Sequence, residues 1–430
     1  MYQESIAMAE ISPFTAVRYN PSLPLDRHVT QPYDKISPEM YRTYRERSPH
    51  SICNLILPDE SLAAQHDITK YQYASRLFRD WLREGILQRD AIPGFYPYRQ
   101  NYTYQDASYS RTGFIGLCRV EEYSRHIIFP HERTLSRPKA DRYSLLEAGR
   151  VHFGVIFMLY EDDGSTQACL DACMQHPACI ALTDDFSVHN ELWQVTDTDM
   201  VSALTNNLSD KQLFIADGHH RYETSLMYAR DHKDDPRAQY TLAMFVNINS
   251  QLEILPTHRT VRNIDRETKS GLKDALDTSF NLRPCASLED ALVATRADNR
   301  RVTIGCFDGN NYWAAELKSP ECMVEAAPGK SDEWRELDVA VLHTLIIECA
   351  LGISPEQVAQ GGYVSYHRDP SAAVTRVTAG EDDLAFFLCP TRPAQLCAVA
   401  RNGEVMPQKS TDFYPKLLTG LAMYAMDEQE

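Results

Sequence analysis

The chain has 430 residues with 43% hydrophobic, 24% charged and 10% aromatic side chains, a composition that builds two or three buried cores and excludes wholesale disorder or a fibrous repeat. Its formal net charge of −17, spread along the length, argues against duplex nucleic acid as a partner. No run approaches the roughly 18 consecutive apolar residues of a membrane span, no secretory signal is recognisable at the N-terminus, and the 11 cysteines sit scattered in apolar runs as reduced thiols do in a cytoplasmic protein. The expectation is a soluble cytoplasmic protein with a small-molecule substrate and neither a nucleic acid nor a membrane as partner; the oligomeric state stays open, a homodimer included.

In chain order, a proline-rich entry (Pro13, Pro21, Pro24, Pro32) leads to two helices, the second over about residues 71–87 with Leu77, Trp81, Leu82 and Ile86 on one stripe. Residues 93–109, rich in tyrosine and proline, read as a connector. Strands are predicted at 113–120, 153–160, 192–195, 212–216 and 241–248, with helical patterns between them. Beyond about 263 come two amphipathic helical windows, a strand pair at 302–307 and 312–317, a long helix over 333–351, and strands at 384–389 and 396–400. This pattern predicts an α+β (mixed α/β) chain in three regions: an α-rich region 1–110, a core 111–262, and an α/β region 263–430. Cys169, Cys173, His176 and Cys179 match no zinc spacing and are read as incidental thiols.

The chemistry concentrates at Asp217, Gly218, His219, His220 and Arg221. A strand, a glycine turn and a helix start follow one another there, and such a junction aims main-chain N–H groups and the positive end of the helix dipole at whatever lies above it. Three potentially cationic side chains occupy the first helical turn, where the dipole opposes positive charge, so an anion is needed to offset them. A phosphate chain fills that need, with Arg221 offering a forked donor set and a histidine one more donor. The plain structural alternative is that Asp217 caps the helix and Arg221 pairs with a neighbouring carboxylate.

A second cluster, His131, Glu132, Arg133 and Thr134, follows an apolar strand end and precedes Lys139 and Arg142. A carboxylate beside a histidine suits general-base work, while a surface ion pair is the ordinary alternative. Lesser polar islands are Thr257, His258 and Arg259, and the segment with Lys409, Ser410, Thr411 and Lys416. The first is a structural turn or, less favoured, a second anion contact at a strand end; the second is equally a loop or a cover over substrate or phosphate, and whether it joins the active site is open. Tyr33 and Asp34 sit in a turn and stand as a further site of second rank. No Gly-x-x-x-x-Gly-Lys-Ser/Thr loop is present, which excludes a P-loop kinase.

Over nearly its whole length the chain resembles the uncharacterised domain-of-unknown-function 1015 family, through Pro13-Phe14 to Arg18, Pro32-Tyr33-Asp34, His131-Glu132-Arg133-Thr134, Ile215 to Thr224, Leu255 to Arg259, and Met406 to Lys416. Its His-Glu-x-Thr and Asp-Gly-x-His-Arg-Tyr motifs are also similar to those of free serine kinases of the ParB/sulfiredoxin superfamily. That resemblance implies a ParB/sulfiredoxin-like nucleotide-binding core with large additions at both ends. It implies Glu132 as catalytic base toward a serine-like hydroxyl. Asp217, Gly218, His220 and Arg221 would grip the phosphates of ATP or ADP with Mg²⁺, His220 and Asp217 assisting the chemistry and His219 and Thr134 joining the nucleotide site. His131, His258, Arg259, Lys409, Ser410, Thr411 and Lys416 stand as substrate contacts of second rank. Here the segment between the motifs is longer and the flanks larger than in those kinases. The rival readings are a ParB-like nucleotide-binding regulatory module and a metal-dependent hydrolase built on His131, Glu132, His219 and His220.

Overall fold

Apolar runs dominate the centre of the chain, and the computed structural model, which describes residues 8–134, 136–296 and 301–427, turns them into two compact units. One comprises residues 1–130, 134–252 and 415–430, the other 131–133 and 253–414. A boundary at residue 110 would cut the strand Ala107–Arg119.

The first unit is built on a nine-stranded mixed sheet. Its path runs Ile128–Phe129, Leu213–Asp217, Ile156–Tyr160, Tyr240–Asn247, Ala107–Arg119, Tyr96–Tyr104, His189–Leu192 and Ile180–Thr183, with Ile11–Ser12 pairing beside Ala107–Arg119. All of Ile156–Tyr160 and all but the first residue of Tyr240–Asn247 are buried, the mark of central strands covered on both faces. Their unbroken apolar runs are what the sequence shows. Phe95, Phe114, Ile156, Met158, Ile215, Tyr222 and Phe245 meet in one core. A second core gathers Val17, Leu55, Phe78, Trp81 and Phe153 around the helix Lys70–Arg83, which starts on a Thr69–Gln72 capping box.

Three sequence expectations are corrected. The connector expected at 93–109 is the strand Tyr96–Tyr104, hairpinned to Ala107–Arg119 through Gln105 and Asp106, both at positive φ (48° and 62°). Tyr96, Tyr98, Gln100 and Tyr102 are all buried at a spacing of two, a strand period that the tyrosine-rich composition concealed. The turn also lacks the usual Asn-Gly or Asp-Gly pair. The strand expected at 396–400 is the helix Pro393–Arg401, with proline in its first turn and Leu396, Cys397, Val399 and Ala400 buried on a helical spacing. Short apolar runs do not distinguish the two states. The long helix expected over 333–351 is broken: Asp332–Arg335 ends, Leu337 is extended, Asp338–Val341 restarts, and Leu342–Ala350 continues as a π-helix.

The second unit carries a fully antiparallel six-stranded sheet in the order Phe280–Cys285, Tyr312–Leu317, Thr303–Phe307, Leu384–Phe387, His258–Val261, Val364–His367. Leu288–Arg296 and Pro370–Thr378 pack on it through Ala291, Ala373 and Val377 against Phe307, Ala385 and Phe387. Among the described residues no helix is long and apolar enough to cross a membrane.

Phe114 is fully buried in the first unit's core, against Phe95 and Phe245 at 5.3 and 5.2 Å between ring centroids. Phe114→Ala is expected to cost about 3–5 kcal/mol through the cavity it leaves, read as a lowered urea midpoint with unchanged far-UV circular dichroism before the transition.

Candidate anion-binding site

The apolar strand Leu213–Asp217 pairs with Ile156–Tyr160, and the pairing shifts by one residue between Ile215 and Asp217. Such a bulge redirects the side chain that follows it. Gly218 comes next at φ +96°, the N-cap of the helix His219–Asp231. A residue with a Cβ is disfavoured there on two counts. The backbone is left-handed, and an added Cβ would lie 3.0 Å from the Arg221 guanidinium carbon. The guanidinium folds back over the glycine, with Gly154 on its other flank, where a Cβ would meet Arg221 at 3.3 Å.

Asp217 is the hub. Its Oδ2 accepts from Arg221 Nη2 at 2.9 Å and its Oδ1 from Lys416 Nζ at 3.0 Å. Burial works to raise the carboxyl's pKa, but Lys416 and Arg221 override it, with Lys35 adding to the positive field, and hold it well below the usual carboxylate range. Lys416 arrives on a segment tied down by the sheet: Gln100 Nε2 donates to its carbonyl at 3.1 Å, and the buried Arg111 donates to Gln100 and to the Pro415 carbonyl.

The geometry modifies the expectation for Arg221. Rather than an open fork, it is a guanidinium already engaged by Asp217 and by the Val155 carbonyl. The pairing half of the structural alternative is therefore realised, whereas the cap is Gly218 and not Asp217. His219 is buried, and burial, aided by His220 and Arg221, depresses its pKa to about 3 against the opposing pull of Asp217, so its ring is neutral. It supplies no positive charge. His220 is partly exposed at the same turn, and its carbonyl accepts from the Thr224 hydroxyl at 2.8 Å. Thr134 donates to Glu223 at 2.6 Å, beside Lys139 at 2.7 Å, and so ties the start of its segment to the same helix. A small cavity of about 60 Å³ opens next to Arg221, lined by Tyr33, Arg142, His152 and Thr224, with the Arg142 guanidinium 4.3 Å from the Tyr33 ring centroid. The sequence offers Tyr33 as a second-rank site in a turn and Arg142 among the basic residues that follow Glu132, whereas Gly154 and Arg111 are not singled out as site residues. An arginine inside an apolar strand pattern, as at Arg111, is the signal that was there to find.

The remaining candidates fall in the second unit. Glu132 is partly buried and contributes to the field at Tyr366. His131 Nε2 lies 2.8 Å from the Thr411 hydroxyl, and its carbonyl accepts from Met406 N–H at 2.9 Å. His258 is buried and accepts from Leu388 N–H at 3.3 Å; burial, with Arg259 nearby, depresses its pKa to about 4. The buried Arg259 donates to the carbonyls of Thr257, Gln408 and Lys409. The Ser410 hydroxyl donates to the Pro407 carbonyl at 2.5 Å, and Lys409 sits at φ +57°. The segment from Met406 to Lys416 thus divides, with Lys409, Ser410 and Thr411 in one unit and Lys416 in the other.

Asp217 does not fit the role of a magnesium ligand in this arrangement, since both of its oxygens are taken by cations. Among the described residues no group of three or more His, Cys, Asp or Glu is placed to hold a metal ion. Cys169 and Cys173 belong to the helix Ser165–Cys173, and the Cys179 thiol contacts the Leu192 carbonyl.

An aspartate whose folded pKa is depressed contributes stability that is complete above its unfolded value, near 3.9, and is lost as pH falls below it. Asp217→Asn leaves Lys416 and Arg221 without their shared counter-charge, at a cost of about 3 kcal/mol at pH 7. Urea titrations of both proteins should show that deficit undiminished from pH 7 to about pH 5 and shrinking steadily below about pH 4. A deficit independent of pH would contradict the assigned ion pairs.

Similar folds among solved structures are distant. A conserved hypothetical protein from Pyrococcus furiosus matches at 11% identity and a TM-score of 0.35, over 70% of this chain and 92% of that one. A free serine kinase in complex with AMP matches at 11% identity and 0.35, over 67% and 83%. A C-terminally truncated SbnI from Staphylococcus aureus matches at 13% and 0.35, over 71% and 85%. Likeness of this degree assigns neither fold nor activity to the chain. No curated protein matches the sequence. The family model described as protein of unknown function (DUF1015) matches residues 11–340, and the chain belongs to that family.

Proposed function

We propose that the protein is a nucleotide-dependent kinase of small molecules, which transfers a phosphoryl group from ATP or ADP to a hydroxyl of a free amino acid, serine or a near relative first. One observation carries this reading: two side-chain cations, Arg221 and Lys416, share a single carboxylate, Asp217, at a helix N-terminus whose cap is glycine. Two positive charges against one negative leave one net positive charge at the positive end of a helix dipole, in a chain whose overall charge is −17. A polyphosphate is the ligand chemistry that matches it. Asp217 is then a positioning residue that pre-sets both cations, and Arg221 and Lys416 meet the phosphate oxygens. The motif resemblance names Glu132 as the base toward the acceptor hydroxyl, and phosphoryl transfer asks for such a base together with charge neutralisation and alignment.

Calorimetry with ATP and with ADP, followed by mass spectrometry of an amino-acid panel incubated with each nucleotide and Mg²⁺, tests the proposal. Saturable nucleotide binding and a phosphorylated amino acid are expected. Lys416→Met should weaken nucleotide binding about tenfold, the loss of one charge-assisted contact. Glu132→Gln should lower kcat about 10²-fold or more with nucleotide affinity within about threefold of the parent. Nucleotide binding without any phosphorylated product favours a ParB-like binding module, turnover intact in Glu132→Gln removes the base, and absence of nucleotide binding removes the reading altogether.

A further inference from the structure

Of four polar atoms of the second unit that are shut off from solvent with no hydrogen-bond partner, Trp313 Nε1 being the fourth, three are Arg259 Nε, the Tyr366 hydroxyl and His343 Nε2. These three belong to one neighbourhood. The Arg259 guanidinium lies over the Tyr366 ring, 5.6 Å from its centroid, and its charge acts on His343, which burial and Arg259 together hold neutral, with a pKa near 3. Arg259 is 1% exposed, and its partners are main-chain carbonyls; no carboxylate pairs with it among the described residues. A buried charge without a counter-ion is costly, and orphaned donors beside it add to that cost.

A cavity of about 260 Å³ adjoins this cluster. His343 lines it, and so does Gln408, whose carbonyl accepts from Arg259 at 3.4 Å. Its walls are mostly apolar, including Ile347, Val358 and Met406, with Trp334 alongside. Arg133 also lines it and has no acidic partner among the described residues. One wall is the π-helix Leu342–Ala350, a helix form that is rare in proteins and concentrated at functional sites.

We propose that this cavity is a second ligand site, for a small amphipathic carboxylic acid. Its carboxylate lies toward His343 and Arg259 and supplies the missing negative charge, while its apolar body packs along Ile347, Val358 and Met406. An engineered apolar cavity of about 150 Å³ accepts benzene, so the space suffices for a ring and a carboxymethyl group. Nothing in this assignment depends on the phosphate site of the first unit.

The test uses the full chain, with phenylacetate as probe and 2-phenylethanol as its uncharged match. Titration calorimetry and thermal denaturation near pH 7 should show saturable binding and a raised Tm with phenylacetate, and an affinity for the alcohol at least about tenfold weaker. Ala359→Phe and Val358→Phe each narrow the cavity, from an exposed and a partly exposed wall position respectively. Either variant that keeps the parent circular dichroism should lose binding by at least about tenfold. Equal affinity for acid and alcohol, no saturable binding up to about 10 mM (an affinity of only a few kcal/mol), or undiminished binding in both folded variants would overturn the proposal.

Discussion

The Asp217 carboxylate, clasped by Arg221 from its own helix and by Lys416 from a segment nearly two hundred positions along the chain, is the constraint on which the first unit's site depends. Removing the acid leaves two like charges facing each other without their shared counter-ion, and that is more damaging than the pair itself is stabilising. Such an arrangement is therefore kept less for net stability than for what it fixes. The guanidinium is set at the helix N-terminus and the ammonium beside it, each with its rotamer already restrained before any ligand arrives, and pre-organisation of this kind lowers the entropic cost of binding.

The supports of that clasp are local and physical. The strand slip between Ile215 and Asp217 aims the carboxylate, and Gly218 removes the Cβ that would fill the guanidinium's place. The buried Arg111 and Gln100 hold the carbonyls of Pro415 and Lys416, so two neighbouring strands of the sheet anchor the segment that carries the second cation. Burial depresses the Arg111 pKa to about 10 against the pull of Tyr102 and Tyr98, which still leaves a charged donor at neutral pH. Here an element of the fold and an element of the site are one and the same.

How far this was legible in the sequence varies with the kind of interaction. Strands such as Tyr240–Asn247 and the turn at Gly218 were readable because a buried central strand must be continuously apolar and a strand-to-helix reversal at positive φ favours glycine. The hairpin at Gln105 and Asp106 was not, since its signal lay in alternating tyrosines mixed with polar partners rather than in a glycine turn. The Asp217 clasp was half legible. Arg221 lies four positions away, one helical turn, where pairing is a local geometric fact. Lys416 is brought in by tertiary structure alone, and no spacing rule reaches that far. The division of the Met406 to Lys416 block between two units likewise has no local cause.

The two polar clusters also differ in how their charge is balanced. Around Asp217 the protein provides its own counter-ion, a carboxylate shared by the partly buried Arg221 and the buried Lys416. Around Arg259 no carboxylate is hydrogen-bonded to the guanidinium among the described residues. Carbonyl dipoles and the face of Tyr366 solvate a guanidinium that is 1% exposed. Guanidinium is weakly hydrated and delocalised, which makes arginine, more than lysine, tolerable in such a place. Yet its Nε, the Tyr366 hydroxyl and His343 Nε2 stay unsatisfied, and folded proteins seldom leave three such atoms together without a use for them. A fold that spends stability on an uncompensated charge beside an apolar cavity has the form of a receptor for an acid, and the regular helix gives way to π-helix where it borders that cavity.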